Sequence, residues 1–120
     1  MNRKSVLEIC PHTLFFYLKT GGFMLEKEFQ RELIKDVKTM FPDALVFKND
    51  AKQGFPDVLI LYGPKWAALE CKKSADSSHR PNQDYYVAKM NKMSFSAFVY
   101  PENKDTVLIM LKEFLYESAA

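Results

Sequence analysis

At 120 residues the chain is long enough for one domain and short for two. Apolar residues at 48% and charged residues at 27% exclude a disordered chain and favour a real core. No run approaches the ~20 apolar residues of a membrane span, and Leu14-Phe15-Phe16-Tyr17-Leu18 is far too short.

After Arg3-Lys4, the residues Glu8, Pro11 and His12 interrupt any apolar stretch of a secretory signal. The two cysteines, Cys10 and Cys71, make neither a disulfide framework nor a zinc quartet, so a reducing, cytoplasmic setting is expected. A net charge of +2 is not in itself a nucleic-acid signature. Its distribution says more. Residues 44–93 hold eight lysines and arginines against five acids, a net +3, and residues 94–120 hold two lysines against four acids, a net −2. A basic middle beside an acidic end permits a DNA-facing side without demanding one.

Residues 1–23 carry Cys10, Pro11, the pair Gly21-Gly22 and no clear period. They read either as an ordinary N-terminal arm or as a leader that is not native, with Met24 the true start. The intact mass of the protein expressed from its own genomic context separates the two. Residues 24–120 form the single folded domain. From 24 to 41 the apolar residues Leu25, Phe29, Leu33, Ile34, Val37 and Phe41 recur at spacings of three and four, which predicts a helix. Pro42-Asp43 ends it. Residues 44–48 predict a short strand, followed by a polar loop from Asn49 to Phe55. Strands follow at 57–62 and 66–72, joined by a turn at Gly63-Pro64. Both are apolar on both faces, as central strands covered by helices on each side would be. Ser74 to Arg80 is a polar loop. Pro81 suits the first position of a helix running to Met93. Residues 95–100 predict a fourth strand and 103–116 a last helix. The predicted class is α/β, in the order α-β-β-β-α-β-α.

The hairpin carries the chemistry. With its turn centred between Gly63 and Pro64, residues whose numbers sum to 127 oppose each other, and Asp57 and Glu70 are such a pair. Directly opposed residues share a face with Cβ atoms ~4.5–5.5 Å apart. Side chains alternate along a strand, so Lys72 joins that face and Cys71 points to the other. Two carboxylates that close repel, and a divalent cation such as Mg²⁺ or Mn²⁺ resolves the conflict. A lysine beside them can hold the attacking water or touch a scissile phosphate. The plain alternative is a surface ion pair of Lys72 with either acid at a strand end.

Pro56-Asp57, twelve residues, then Glu70-Cys71-Lys72 resembles the PD-(D/E)XK nuclease motif, and the element order is similar to the restriction-endonuclease-like core with its mixed central sheet flanked by helices. The chain further resembles the VRR-NUC and Holliday-junction-resolvase-like branch often found in phages. Glu26, Lys48, Gly54-Phe55-Pro56-Asp57, Glu70-Cys71-Lys72 and Gln83 match that branch's pattern, over residues 25 to about 116. The resemblance implies a metal-dependent endonuclease acting on branched or junction DNA, in phage recombination or DNA processing. It implies metal ligation by Asp57, Glu70, the Cys71 carbonyl and Glu26, with Lys72 serving the water and Gln83 bracing the site or contacting phosphate. Two symmetric incisions at a junction would suit a homodimer. A nicking or sequence-preferring endonuclease, and a non-catalytic DNA-binding module that keeps the fold, stay open.

Lys48, Lys52, Lys73, Arg80 and Lys89 are candidates for the DNA path, since phosphate contacts need only cations within reach. Each also reads as a solvated charge, and Glu26 as a first-turn acid favoured by the helix dipole. His79, with no second histidine near it, reads as a surface-loop residue. Cys71, facing away from the acids and without a partner histidine, is not expected to be a nucleophile. Trp66 reads as strand core.

Overall fold

The computed structural model describes residues 25–50 and 52–117, the side chain of Glu117 excepted. The arm at 1–23 and the question of its origin lie outside the described residues. In chain order the elements are α1 (Glu26–Met40), β1 (Leu45–Lys48), β2 (Val58–Tyr62), β3 (Lys65–Cys71), α2 (Pro81–Met93), β4 (Phe95–Val99) and α3 (Lys104–Lys112), the last running into a π-helical turn at Glu113–Glu117. Each predicted element is present within two residues of its expected ends, apart from the last helix, whose final turn widens into that π segment.

The fold is α/β around one four-stranded mixed sheet in the order β1-β2-β3-β4. The β1–β2 and β2–β3 pairs are antiparallel, and β3–β4 is parallel. Gly63 sets the hairpin. Its φ of 58° is the positive angle a two-residue hairpin turn needs at its first central position, and Pro64 supplies the negative φ that follows. The resulting register pairs Tyr62 with Lys65 and Val58 with Leu69.

One face of the sheet carries the main core. Phe29, Leu33, Val37 and Phe41 of α1, with Val107, Leu108 and Leu111 of α3, pack on Val58, Ile60, Ala67, Leu69, Cys71, Phe95 and Val99. The stripe on α1 is spaced by four, so one face of a 3.6-residue helix buries all four side chains. Lys104 and Asp36, 1% and 4% exposed, form an ion pair inside this layer that ties α3 to α1. The Tyr116 hydroxyl donates to the Met40 carbonyl at 3.0 Å and fixes the far end.

The other face is covered only in part. As the crossover between the parallel strands β3 and β4, α2 lies over that half of the sheet and buries Val87 and Met90. Over the β1–β2 half, Leu45 is 59%, Phe47 48% and Leu61 36% exposed. The expectation that both central strands are covered on both sides thus holds for β3 and fails for the outer side of β2. A crossover helix between the third and fourth strands does not reach the first and second.

Candidate active site at the end of the hairpin

The ladder register, continued one step beyond Val58 and Leu69, sets Asp57 opposite Glu70. The two carboxyls are in hydrogen-bond contact with each other. Asp57 Oδ2 also accepts the Cys71 backbone N–H at 2.9 Å, in place of a ladder bond. In an extended strand the N–H and C=O of one residue point to the same side, so the Cys71 carbonyl faces the β2 side as well. Its opposite number, Pro56, brings no N–H to meet it. The motif's proline therefore has a local consequence: a main-chain oxygen beside the two acids takes no ladder hydrogen bond from its neighbour.

Lys72 is 6% and Glu70 3% exposed, so both charges sit in the protein with their partners. The Lys72 backbone N–H donates to the Val99 carbonyl at 2.8 Å, which extends the parallel ladder past the end of β3. Its ammonium donates to Gln83 Oε1 at 2.7 Å and to the Ser78 carbonyl at 3.1 Å. Gln83, in the first turn of α2, does three things with one amide. It takes the Lys72 ammonium, accepts the Arg80 N–H at 3.0 Å at the helix start, and donates Nε2 to Glu70 Oε2 at 2.9 Å. The motif lysine and glutamate are thus held apart from a direct ion pair by a glutamine that bonds to both. This does not match the plain surface-pair alternative.

The electrostatics follow from this crowding. Burial, with the neighbouring Asp57 charge second, pushes Glu70 up to about 8. Burial raises Asp57 as well, against the opposing pull of the Cys71 N–H and of Lys72. Glu26 is raised too, again first by burial, with Lys72 opposing. At neutral pH the Asp57–Glu70 pair therefore shares a proton.

Glu26 lies within electrostatic reach of Asp57, Glu70, Lys72 and Lys73. It is exposed. Among the described residues no three His, Cys, Asp or Glu side chains stand around a common ligand point. A cation here would find a donor set of two carboxylates and a main-chain carbonyl, all hard oxygens of the kind Mg²⁺ and Mn²⁺ prefer.

Lys48, Lys52, Lys73, Arg80 and Lys89 are all exposed. Two of them border the acids: Lys48 acts on Asp57 and Lys73 on Glu26. Lys48 also lies 3.8 Å from Asp50. Cys71 is fully buried in the core layer, and burial raises its thiol well above the ordinary value, so it is no nucleophile. Trp66 is half-buried at the border of the open face. His79 is more than a loop residue. Its ring stacks on Phe98 with centroids 4.0 Å apart, and Nδ1 lies 2.9 Å from Asp84 Oδ1. Sequence spacing gave no signal for this, because the contact joins a loop, the start of α2 and β4. No helix among the described residues is long and apolar enough to cross a membrane. Comparison with protein-family models, with curated proteins and with solved structures gave no match for this chain.

Proposed function

We propose that the domain is a Mg²⁺- or Mn²⁺-dependent endodeoxyribonuclease of the PD-(D/E)XK type, selective for branched DNA and working as a homodimer. The observation that carries this reading is the Asp57–Glu70 contact with Lys72 beside it. A buried carboxyl in contact with a half-buried one is costly unless a cation or a proton sits between them, and Glu70 stands at about 8 as a result. Asp57, Glu70 and the Cys71 carbonyl would hold the metal, with Glu26 bordering it. When bound, the ion would polarise the phosphate and favour ionisation of the attacking water.

The protein's own groups have separable tasks. Two of the three N–H groups on the Lys72 ammonium are engaged by Gln83 and Ser78, which leaves the third for the attacking water or a phosphate oxygen. Gln83 fixes the rotamer of Lys72 and Glu70 at once, and this is the preorganisation such a site needs. Lys48 and Lys73, which border the acids, would meet phosphates on either side of the cut. Lys52, Arg80 and Lys89 extend the cationic surface.

The test uses purified full-length protein with Mn²⁺ or Mg²⁺ on a four-way junction, a flap, a linear duplex and a supercoiled plasmid. Cutting of the junction ahead of the duplex is the expected result. Preference for plasmid would move the reading to a nicking enzyme. Binding without cutting under either metal would replace it with a DNA-binding module.

A further inference from the structure

The residues between β3 and α2 are tied to the acid site at several points, and one side chain among them has no task in it. The Ser78 carbonyl holds the Lys72 ammonium, and the Arg80 N–H is held by Gln83. Between these two anchors stands His79, so its backbone is fixed relative to Lys72 and Glu70. Its ring is fixed as well, with one face on Phe98 and Nδ1 on Asp84. Phe98 is the ladder partner of Glu70 and shares its face of the sheet. The imidazole thus lies on the face that carries Asp57 and Glu70. It stands over β4, two strand spacings or roughly 10 Å across from β2. That is about three nucleotides of duplex at a rise of ~3.4 Å. With Nδ1 taken by Asp84, the remaining nitrogen, Nε2, belongs to the edge of a side chain that is 31% exposed.

We propose that His79, oriented by Asp84, is a backbone-phosphate contact for the substrate strand, a few nucleotides from the phosphate at Asp57 and Glu70. The inference rests on the nuclease reading and deepens it. Asp84 holds the Nδ1–H, so a protonated ring offers Nε2–H to a phosphate oxygen in a fixed direction. The charged groups around the ring are Asp84 on α2, Arg80 beside it, and Lys72 and Glu70 on β3. The element beneath it, β4, contributes only the uncharged Phe98.

The test measures equilibrium binding of labelled duplex and four-way junction at pH 6, with Ca²⁺ in place of the catalytic metal, over a range of salt. A phosphate contact adds about 0.9 to the slope of log affinity against log salt. His79→Gln should lower the slope by about that amount and weaken binding several-fold, and His79→Arg should restore both. Asp84→Ala gives the decisive sign. Loss of a surface acid alone tightens binding to a polyanion, whereas loss of the group that orients His79 weakens it, and weakening is expected. Unchanged slopes in His79→Gln, or tighter binding by Asp84→Ala, would overturn the proposal while leaving the nuclease reading in place. Wild-type protein that binds no DNA would overturn both. A melting temperature lowered in His79→Gln with no change in slope would reduce the pair to a loop clamp and count against a substrate contact.

Discussion

Replacing Glu70 by glutamine should make the metal-free protein more stable at pH 8, and the structure gives the size of the effect. Glu70 is held at about 8, above its ordinary 4.5. A carboxyl raised on folding contributes stability that is complete below the unfolded value and is lost as pH rises through the folded one. Between those limits the native state binds one more proton than the unfolded state, so stability falls by ~1.4 kcal/mol per pH unit. From pH 6 to pH 8 this amounts to ~2–3 kcal/mol, or roughly 10 °C in melting temperature for a domain of this size. Glu70 is 3% exposed, so little of this is screened by water. Glutamine keeps the geometry. Its oxygen can accept from Gln83 Nε2 and its amide can donate to Asp57, which removes the charge and leaves both contacts in place. Thermal melts in EDTA at pH 6 and pH 8 should show wild type losing stability where Glu70→Gln loses little, the remainder coming from Asp57. Millimolar Mn²⁺ should restore wild type at pH 8 and have little effect on the variant. Parallel pH profiles for the two proteins would refute the reasoning.

Lys72→Met should abolish cleavage and cost about 1–3 kcal/mol in urea unfolding, since Gln83 Oε1 and the Ser78 carbonyl lose a charged donor. Gly54 has a φ of 87°, and a Cβ there would meet the Asn82 side chain. Gly54→Ala should therefore cost roughly 1–3 kcal/mol and displace the loop that delivers Asp57, which would show as weaker metal binding together with lower cleavage. Lys104→Ala should destabilise by about 3–5 kcal/mol in chemical denaturation, because it strands Asp36 in the α1–α3 layer. In a Cys10→Ser background, Cys71 should resist thiol reagents at pH 8 until the protein unfolds, as expected for a buried thiol raised by desolvation.

The register at the site was legible because a two-residue turn leaves no freedom. Once Gly63-Pro64 is the loop, Asp57 must oppose Glu70. The start of α2 at Pro81 was equally clear, since proline fits the first helical position and no later one. The bridging role of Gln83 was only partly visible. Its place in the first turn follows from the sequence, but its bonds to both Glu70 and Lys72 depend on how α2 crosses the sheet. The same crossing hid the His79–Asp84–Phe98 arrangement and left the β1–β2 half of one face open, where apolar residues on both faces of β2 had suggested full cover. Asp36 stands next to the apolar stripe of α1, and spacing alone does not mark it as buried. Its burial needs Lys104, which only the packing of α3 on α1 brings to it.

Asp57, Glu70 and Lys72 are proposed to cut DNA together with a divalent metal. The most direct measurement is single-turnover cleavage of a labelled junction by wild type, Glu70→Gln and Lys72→Met in Mn²⁺, each first shown to be folded and to bind the DNA. Metal-dependent cutting by wild type, with both variants slower by at least a hundredfold, is the expected result. Equal cutting by all three, or none by folded, DNA-binding wild type, would contradict it.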